Sequence, residues 1–245
     1  MKIKRFVLLI GYLFVAINCG TIKPINENKT AVVTTELKLA ESESSASKME
    51  LIETKVTEQN NFIADTTFVN LKDYSSDFVY NMKYATEDNF LKSKVYDCEA
   101  CYLRYKTVKS LLIANQKFLK KGYRIMIYDC YRPYSIQKKM FEIVPNPKYV
   151  ADPKKGSIHN RGGAVDISLV DANGKELDMG TAFDFFGVEA SHDYEQLSDK
   201  VRANRKLLRK IMTQSNFRIF ESEWWHYNLK NTHKDPISNF KWKCD

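Results

Sequence analysis

The chain has 245 residues, 44% hydrophobic and 13% aromatic, which is enough for one sizeable core. Its net charge of +8 invites a nucleic-acid reading that the distribution excludes, because the basic residues are scattered. Their densest run, Lys200 to Lys210, falls on a predicted amphipathic helix with Val201, Leu207, Leu208, Ile211 and Met212 on its apolar side. The lysines and arginines are then its solvated side, with at most a nonspecific attraction to anionic membrane or wall polymers.

In chain order, Met1 to Ile17 reads as a secretory leader, with Lys2, Lys4 and Arg5 before an apolar run from Phe6 to Ile17. That run is too short for a normal membrane span. Cys19 follows and points to lipoprotein processing with a diacylated cysteine, although Ala16 and Asn18 depart from the usual lipobox. Conventional cleavage that leaves Cys19 free is the alternative. Residues 20–61, including Glu41 to Lys48, have few large apolar residues and read as a flexible polar linker, with transient helix possible between Glu36 and Lys55. The expectation is an exported, periplasmic or cell-envelope protein, anchored through lipid at Cys19, with its folded domain at 62–245.

Beyond the linker, four cysteines remain: Cys98, Cys101, Cys130 and Cys244. An exported chain permits disulfides. A local Cys98–Cys101 bridge with Cys130–Cys244 is the favoured pairing, and the cross-pairings stay open.

Tyr105 to Lys121 predicts a helix with Val108, Leu111, Leu112, Phe118 and Leu119 on one side and Gly122 as its stop. Arg124 to Cys130 alternates as a strand, and Tyr134 to Ile143 reads as a short helix behind Pro133. In Ala164 to Val170, Val165, Ile167 and Leu169 face one way and Asp166 and Ser168 the other. Asn173-Gly174 is a hairpin turn signal, and Phe217 to Leu229 holds two more short strands. The pattern predicts a single α+β domain with a mainly antiparallel central sheet and packed helices.

The chemistry concentrates in Ser157-Ile158-His159-Asn160-Arg161-Gly162-Gly163-Ala164-Val165-Asp166 and Glu223-Trp224-Trp225-His226. His159, Asp166 and His226 offer two imidazoles and a carboxylate. That set leaves the fourth position of a tetrahedral zinc open, as catalytic sites do. One Zn2+ per chain would lower the pKa of bound water to roughly 7, and Glu223 is the candidate general base. His159 sits on a loop where Gly162-Gly163 supplies flexible backbone. Glu223 and His226 are three apart and project to opposite faces of a regular strand, so a bend or bulge is required if both reach the metal. Arg132, at the end of the predicted strand, either pairs with Asp129 to stabilise the strand end or stabilises a tetrahedral oxyanion. His192 and His233 have no partner motif and read as surface or core residues.

These two segments resemble those of the D-alanyl-D-alanine dipeptidases, zinc enzymes related to D,D-carboxypeptidases. Three further blocks match in the same order: Tyr84-Ala85-Thr86 leading to Asn89-Phe90, Asp129-Cys130-Tyr131-Arg132-Pro133, and Met179-Gly180-Thr181 leading to Phe183-Asp184. The resemblance runs from about residue 66 to about 242. It implies a hedgehog/D,D-peptidase-like fold and hydrolysis of a small dipeptide, D-alanyl-D-alanine, to two D-alanines. It also implies the oxyanion role for Arg132, and a substrate-binding set of Asp184 at the substrate amine, Ser157, Tyr84 closing the pocket, and Asp129, which orients Arg132. A carboxypeptidase or endopeptidase of peptidoglycan stem peptides, and a non-catalytic wall-binding module, are the competing readings.

Overall fold

The computed structural model describes residues 63–244. The expectations for the leader, Cys19 and the linker lie outside the described residues. Among the described residues, seven strands form two sheets and three α-helices accompany them. The central sheet has the order β2 (Val79–Tyr80), β4 (Arg124–Asp129), β5 (Ala164–Val170), β7 (Glu223–Leu229), β6 (Phe217–Phe220). Only β2 and β4 run parallel; the other neighbours are antiparallel. A separate antiparallel pair joins β1 (Phe68–Asn70) to β3 (Tyr102–Arg104). The α+β expectation with a mainly antiparallel sheet therefore holds.

Helix α1 (Tyr105–Leu119) packs on β4 and against α3 (Asp199–Thr213), which in turn lies on β6 and β7. The buried side of α1 holds Val108, Leu111, Ala114 and Phe118, whereas Leu119, expected on that side, is exposed. Leu119 sits where the helix ends. Gly122, at φ 79°, donates to the Leu119 carbonyl (3.0 Å), and Tyr123 donates to Phe118 (3.1 Å), closing the last turn. The Asn115 side chain accepts from the Ile125 amide at 3.1 Å and so fixes where β4 begins. Ser198 caps α3 by accepting from the Val201 amide. The basic side of α3 has one exception: Arg205 is buried and donates to the carbonyls of Met179, Glu189 and Ser191. It ties the β5–α3 connection to the helix instead of meeting solvent.

Helix α2 (Tyr134–Ile143) follows Pro133 as expected. Every residue of β5 is buried, so Asp166 and Ser168 lie under other elements and not on an open face. The Asn173-Gly174 turn forms, with Gly174 at φ 79°, but the returning chain makes only a single bridge, Glu176 to Val170.

The disulfides are Cys98–Cys244 and Cys101–Cys130, a correction to the favoured pairing. The reason is where the strand ends lie. Tyr131 donates to the Tyr102 carbonyl at 2.9 Å, which sets the residue before β3 beside the residue after β4. Cys101 and Cys130 are consequently 5.3 Å apart at Cα. The C-terminal segment stacks Trp242 on Tyr102 and Phe240 on Phe68, and thereby delivers Cys244 to Cys98.

Candidate active site

Three functional residues stand in one row across the sheet. Asp166 of β5 is opposite His226 of β7 and, on its other side, opposite Asp129 of β4. The row exists because the β4–β5 register shifts between Ile127 and Asp129, giving β4 one extra residue. Directly opposed residues hold their side chains about 5 Å apart, so the register alone brings Asp166 and His226 together.

His159 arrives from a short 3-10 turn, His159–Arg161, that leads into β5. Gly162 closes the turn at φ 69°, and a Cβ there would meet the Phe68 ring at 2.5 Å and Arg104 Cγ at 2.9 Å. A Cβ on Gly163 would lie 2.5 Å from Thr232 Cβ. The glycine pair therefore allows close packing in a fixed turn; flexibility is not its purpose. Asn160 locks the turn further, donating to the Arg132 carbonyl (2.8 Å) and accepting from the Ser157 amide (2.8 Å).

The ligand atoms converge closely. His159 Nε2 is 3.2 Å from His226 Nδ1 and 3.3 Å from Asp166 Oδ2, and His226 Nδ1 is 3.0 Å from Asp166 Oδ1. The remaining ring nitrogens are engaged, His159 Nδ1 with the Cys130 carbonyl (2.6 Å) and His226 Nε2 with Asn228 Oδ1 (2.9 Å). Those bonds place a proton on each outer nitrogen and turn the lone pairs of the inner ones toward each other. Two lone pairs and a carboxylate this close repel unless a positive charge lies among them. Without a metal, a proton on His226 fills that need: burial opposes its charge, but Asp166 outweighs burial and pushes its pKa up to about 9. Burial works to raise the Asp166 carboxyl, but His159 and then His226 outweigh it and hold it far below its usual range. A metal ion fits the set well. Bonds of about 2.1 Å in a tetrahedron give edges of roughly 3.4 Å, close to these separations. Among the described residues, His159, Asp166 and His226 form the cluster able to hold a metal ion.

Glu223 reaches this centre through the irregularity that the sequence demands. Opposite β6, Ile219 pairs with Tyr227 but Phe220 already pairs with Glu223, a shift that folds Trp224 to His226 into a bulge. Both tryptophans are buried, and Trp224 Nε1 donates to Thr181 Oγ1 at 2.8 Å. Glu223 Oε2 consequently lies 3.8 Å from His226 Nδ1. Burial raises the Glu223 pKa; His226 opposes that rise and the Asp166 charge adds to it.

Arg132 lines the same cavity, held from behind by Asp129. Its Nη2 and Nε donate to Asp129 Oδ2 (2.7 and 3.2 Å), and its Nη1 to Gln137 Oε1 (3.1 Å). The Tyr96 hydroxyl, itself bonded to Asp129, also lies in hydrogen-bonding contact with the guanidinium. Burial works against the guanidinium charge and Asp129 restores it, so the pKa sits well above even the arginine norm. Asp129 itself is 0% exposed, and Tyr96 and the Cys130 amide bond its other oxygen. It orients the arginine and does not reach the cavity, so its place in the substrate-binding set is corrected.

The other expected residues do line the cavity, which measures about 290 Å³. Tyr84 donates to Asp184 at 2.9 Å, and the Arg132 guanidinium lies 5.2 Å from the Tyr84 ring centre. Asp184 is held at φ 59°, a conformation that side-chain-bearing residues seldom take outside functional or strained positions. Burial and then the Asp166 charge raise its pKa well above the carboxylate range. Ser157 Oγ accepts from the His159 amide at 3.2 Å. His192 is a largely buried histidine whose pKa falls to about 4 through desolvation and then Arg209 and Arg205, and it lies in a groove along α3 away from the metal ligands.

Asn228, Gln137 and Tyr96 are site residues that the motifs do not mark. Asn228 had a usable signal: it lies two residues after His226 on a strand, hence on the same face. Gln137 and Tyr96 come from a helix and a loop whose spacing to Arg132 and Asp129 carries no signature.

A metal-ligand trio, a carboxylate of raised pKa and a buried arginine around one cavity define a metallopeptidase. A family model described as D-ala-D-ala dipeptidase matches residues 64–243, and the chain belongs to that family. The D-alanyl-D-alanine dipeptidase of Escherichia coli (strain K12) is 35% identical over 184 residues, covering 74% of this chain and 95% of the relative. That of Enterococcus faecium is 31% identical over 184 residues, covering 65% of this chain and 88% of the relative.

Proposed function

We propose that the domain is a zinc D,D-dipeptidase of hedgehog/D,D-peptidase-like fold that hydrolyses D-alanyl-D-alanine to two D-alanines. The observation that carries this reading is the His159–Asp166–His226 triangle with Glu223 and Arg132 facing one cavity. The three residues would hold the ion, which when bound would polarise the scissile carbonyl and acidify water. Glu223 takes the proton of the attacking water and passes it to the nitrogen of the leaving alanine; burial raises its pKa, which makes the carboxylate a stronger base than an exposed one. Arg132, which lines the cavity and is held from behind by Asp129, presents its guanidinium to the oxygen on which negative charge develops. Asp184, with Tyr84 bonded to it, is the partner for the substrate ammonium; burial and then the Asp166 and Glu223 charges raise its pKa, and a cation there offsets them.

The test is D-alanine release by the purified protein with one equivalent of zinc, offered D-Ala-D-Ala, L-Ala-L-Ala and a stem pentapeptide. Cleavage of the free D,D-dipeptide alone supports the reading. Preferred cleavage of the pentapeptide moves the enzyme to the carboxypeptidase class, and inertness toward all three leaves a wall-binding module.

The leader and Cys19 support a second part of the proposal: the enzyme is exported to the cell envelope and anchored by lipid at Cys19. Wall turnover is then its source of dipeptide. Incorporation of labelled palmitate that disappears in Cys19→Ser tests this, and equal labelling of the variant refutes it.

A further inference from the structure

One side of the cavity is built from aromatic rings on two separate loops. Tyr149 follows α2, and Phe186 lies between β5 and α3. Their rings stack with centroids 4.3 Å apart and planes 28° from parallel. Phe186 also meets Phe90 edge-on at 4.9 Å, and Phe90 meets Tyr84 at 6.3 Å. Tyr149, Phe186 and Tyr84 all line the cavity. Yet Tyr149 and Phe186 remain 44% and 40% exposed, which is unusual for core rings. They stand between cavity and solvent, and the two loops touch through them.

We infer that the Tyr149–Phe186 stack is the length filter of this enzyme, a wall that excludes peptides extended at the amino end of D-alanyl-D-alanine. The inference rests on the dipeptidase reading above. Phe186 is two residues from Asp184, the partner assigned to the substrate ammonium. Any further residue joined to that nitrogen leaves the dipeptide in this direction and meets the stack. Stacked rings attract beyond their burial alone, and this pair joins the two exposed loops. Asp184 adds an electrostatic component, because an acylated amine has no charge to offer it. Rejection by a wall and by an unpaired charge is how binding sites disfavour close competitors.

The experiment compares kcat/KM for D-Ala-D-Ala, Gly-D-Ala-D-Ala and a stem pentapeptide ending in D-Ala-D-Ala, in the zinc-loaded full chain. Phe186→Ala and Tyr149→Ala should each raise the ratio of extended peptide to dipeptide about 10-fold, the scale of a lost hydrophobic wall contact. The double variant should gain little more, since one stack is lost in all three. Phe186→Leu should give a smaller rise and guards against a folding defect in the alanine variant. Unchanged ratios in variants that still cleave the dipeptide overturn the filter while leaving the dipeptidase reading intact. A wild-type enzyme that cleaves the pentapeptide as readily as the dipeptide also overturns it. Inertness of the wild type toward all three substrates fails the dipeptidase reading itself, and the filter with it.

Discussion

The two sides of the cavity are made by different means. On one side Asp166 and His226 face each other by strand register, and Glu223 is set by a bulge in the same strand. On the other, Tyr149, Phe186 and Asp184 come from irregular segments, with Asp184 in a left-handed backbone conformation. Hydrogen-bonded strands fix atoms to within tenths of an ångström, which metal coordination and proton transfer demand. Loops tolerate replacement, so they suit the task of deciding which peptide enters. Most of the chemistry belongs to the sheet, with His159 and Arg132 supplied from turns at its strand ends, and selection belongs to the loops.

Substitutions on the sheet side should strike rate or metal without altering length preference. Glu223→Gln should keep its zinc and lose about 10²–10⁴-fold in kcat, measured as D-alanine release alongside metal content; near-normal turnover in that variant ends the general-base assignment. Arg132→Ala should lower kcat by about 10²–10³-fold with zinc content unchanged, and a pure KM effect would reassign the arginine to substrate binding. Asn228→Ala removes the acceptor of the outer His226 proton and should weaken zinc affinity by about 10–100-fold, read by competition with a chelator. Unaltered affinity would show that Asn228 does not hold the imidazole.

The pH dependence is subtler and follows from the signs of the shifts. Glu223 must be ionised to accept a proton, and its pKa is raised, chiefly by burial. Activity should fall with acid through a limb lying above the ordinary glutamate value of about 4.3. His226, at about 9 without metal, is protonated at neutral pH, so zinc must displace that proton. Titration calorimetry in buffers of different ionisation enthalpy should show about one proton released per zinc at pH 7.5. Zero release would mean that His226 is neutral before the metal arrives. The same raised pKa implies that, without zinc, the His226–Asp166 contact stabilises fully below the unfolded histidine value of about 6.5 and weakens as pH rises through about 9.

Much of the sheet side was legible in the sequence because strands advertise themselves by alternation. The bounds of β5 and α2 match the expectation residue for residue, and the need for a bulge between Glu223 and His226 followed from a three-residue spacing. Other features depend on contacts between distant segments. The disulfide partners followed from strand ends that meet only after folding. The Gly162-Gly163 pair looked like a source of mobility until Phe68, Arg104 and Thr232 were seen packed against it. Asp129 is expected in the substrate-binding set as the residue that orients Arg132, and its complete burial leaves it only the orienting part. The Tyr149–Phe186 wall has no periodicity to betray it.

The Cys98–Cys244 bridge spans 146 residues, and Trp242, just before it, packs on Tyr96, whose hydroxyl bonds Asp129. The metal centre likewise draws on both His159 and the late strand β7. As the chain emerges N-terminus first, Asp129 and Gln137 can meet Arg132 early, but the trio able to hold a metal is completed only when His226 of β7 arrives. Contacts so distant in sequence also slow the search for the native state, making this a domain that matures late.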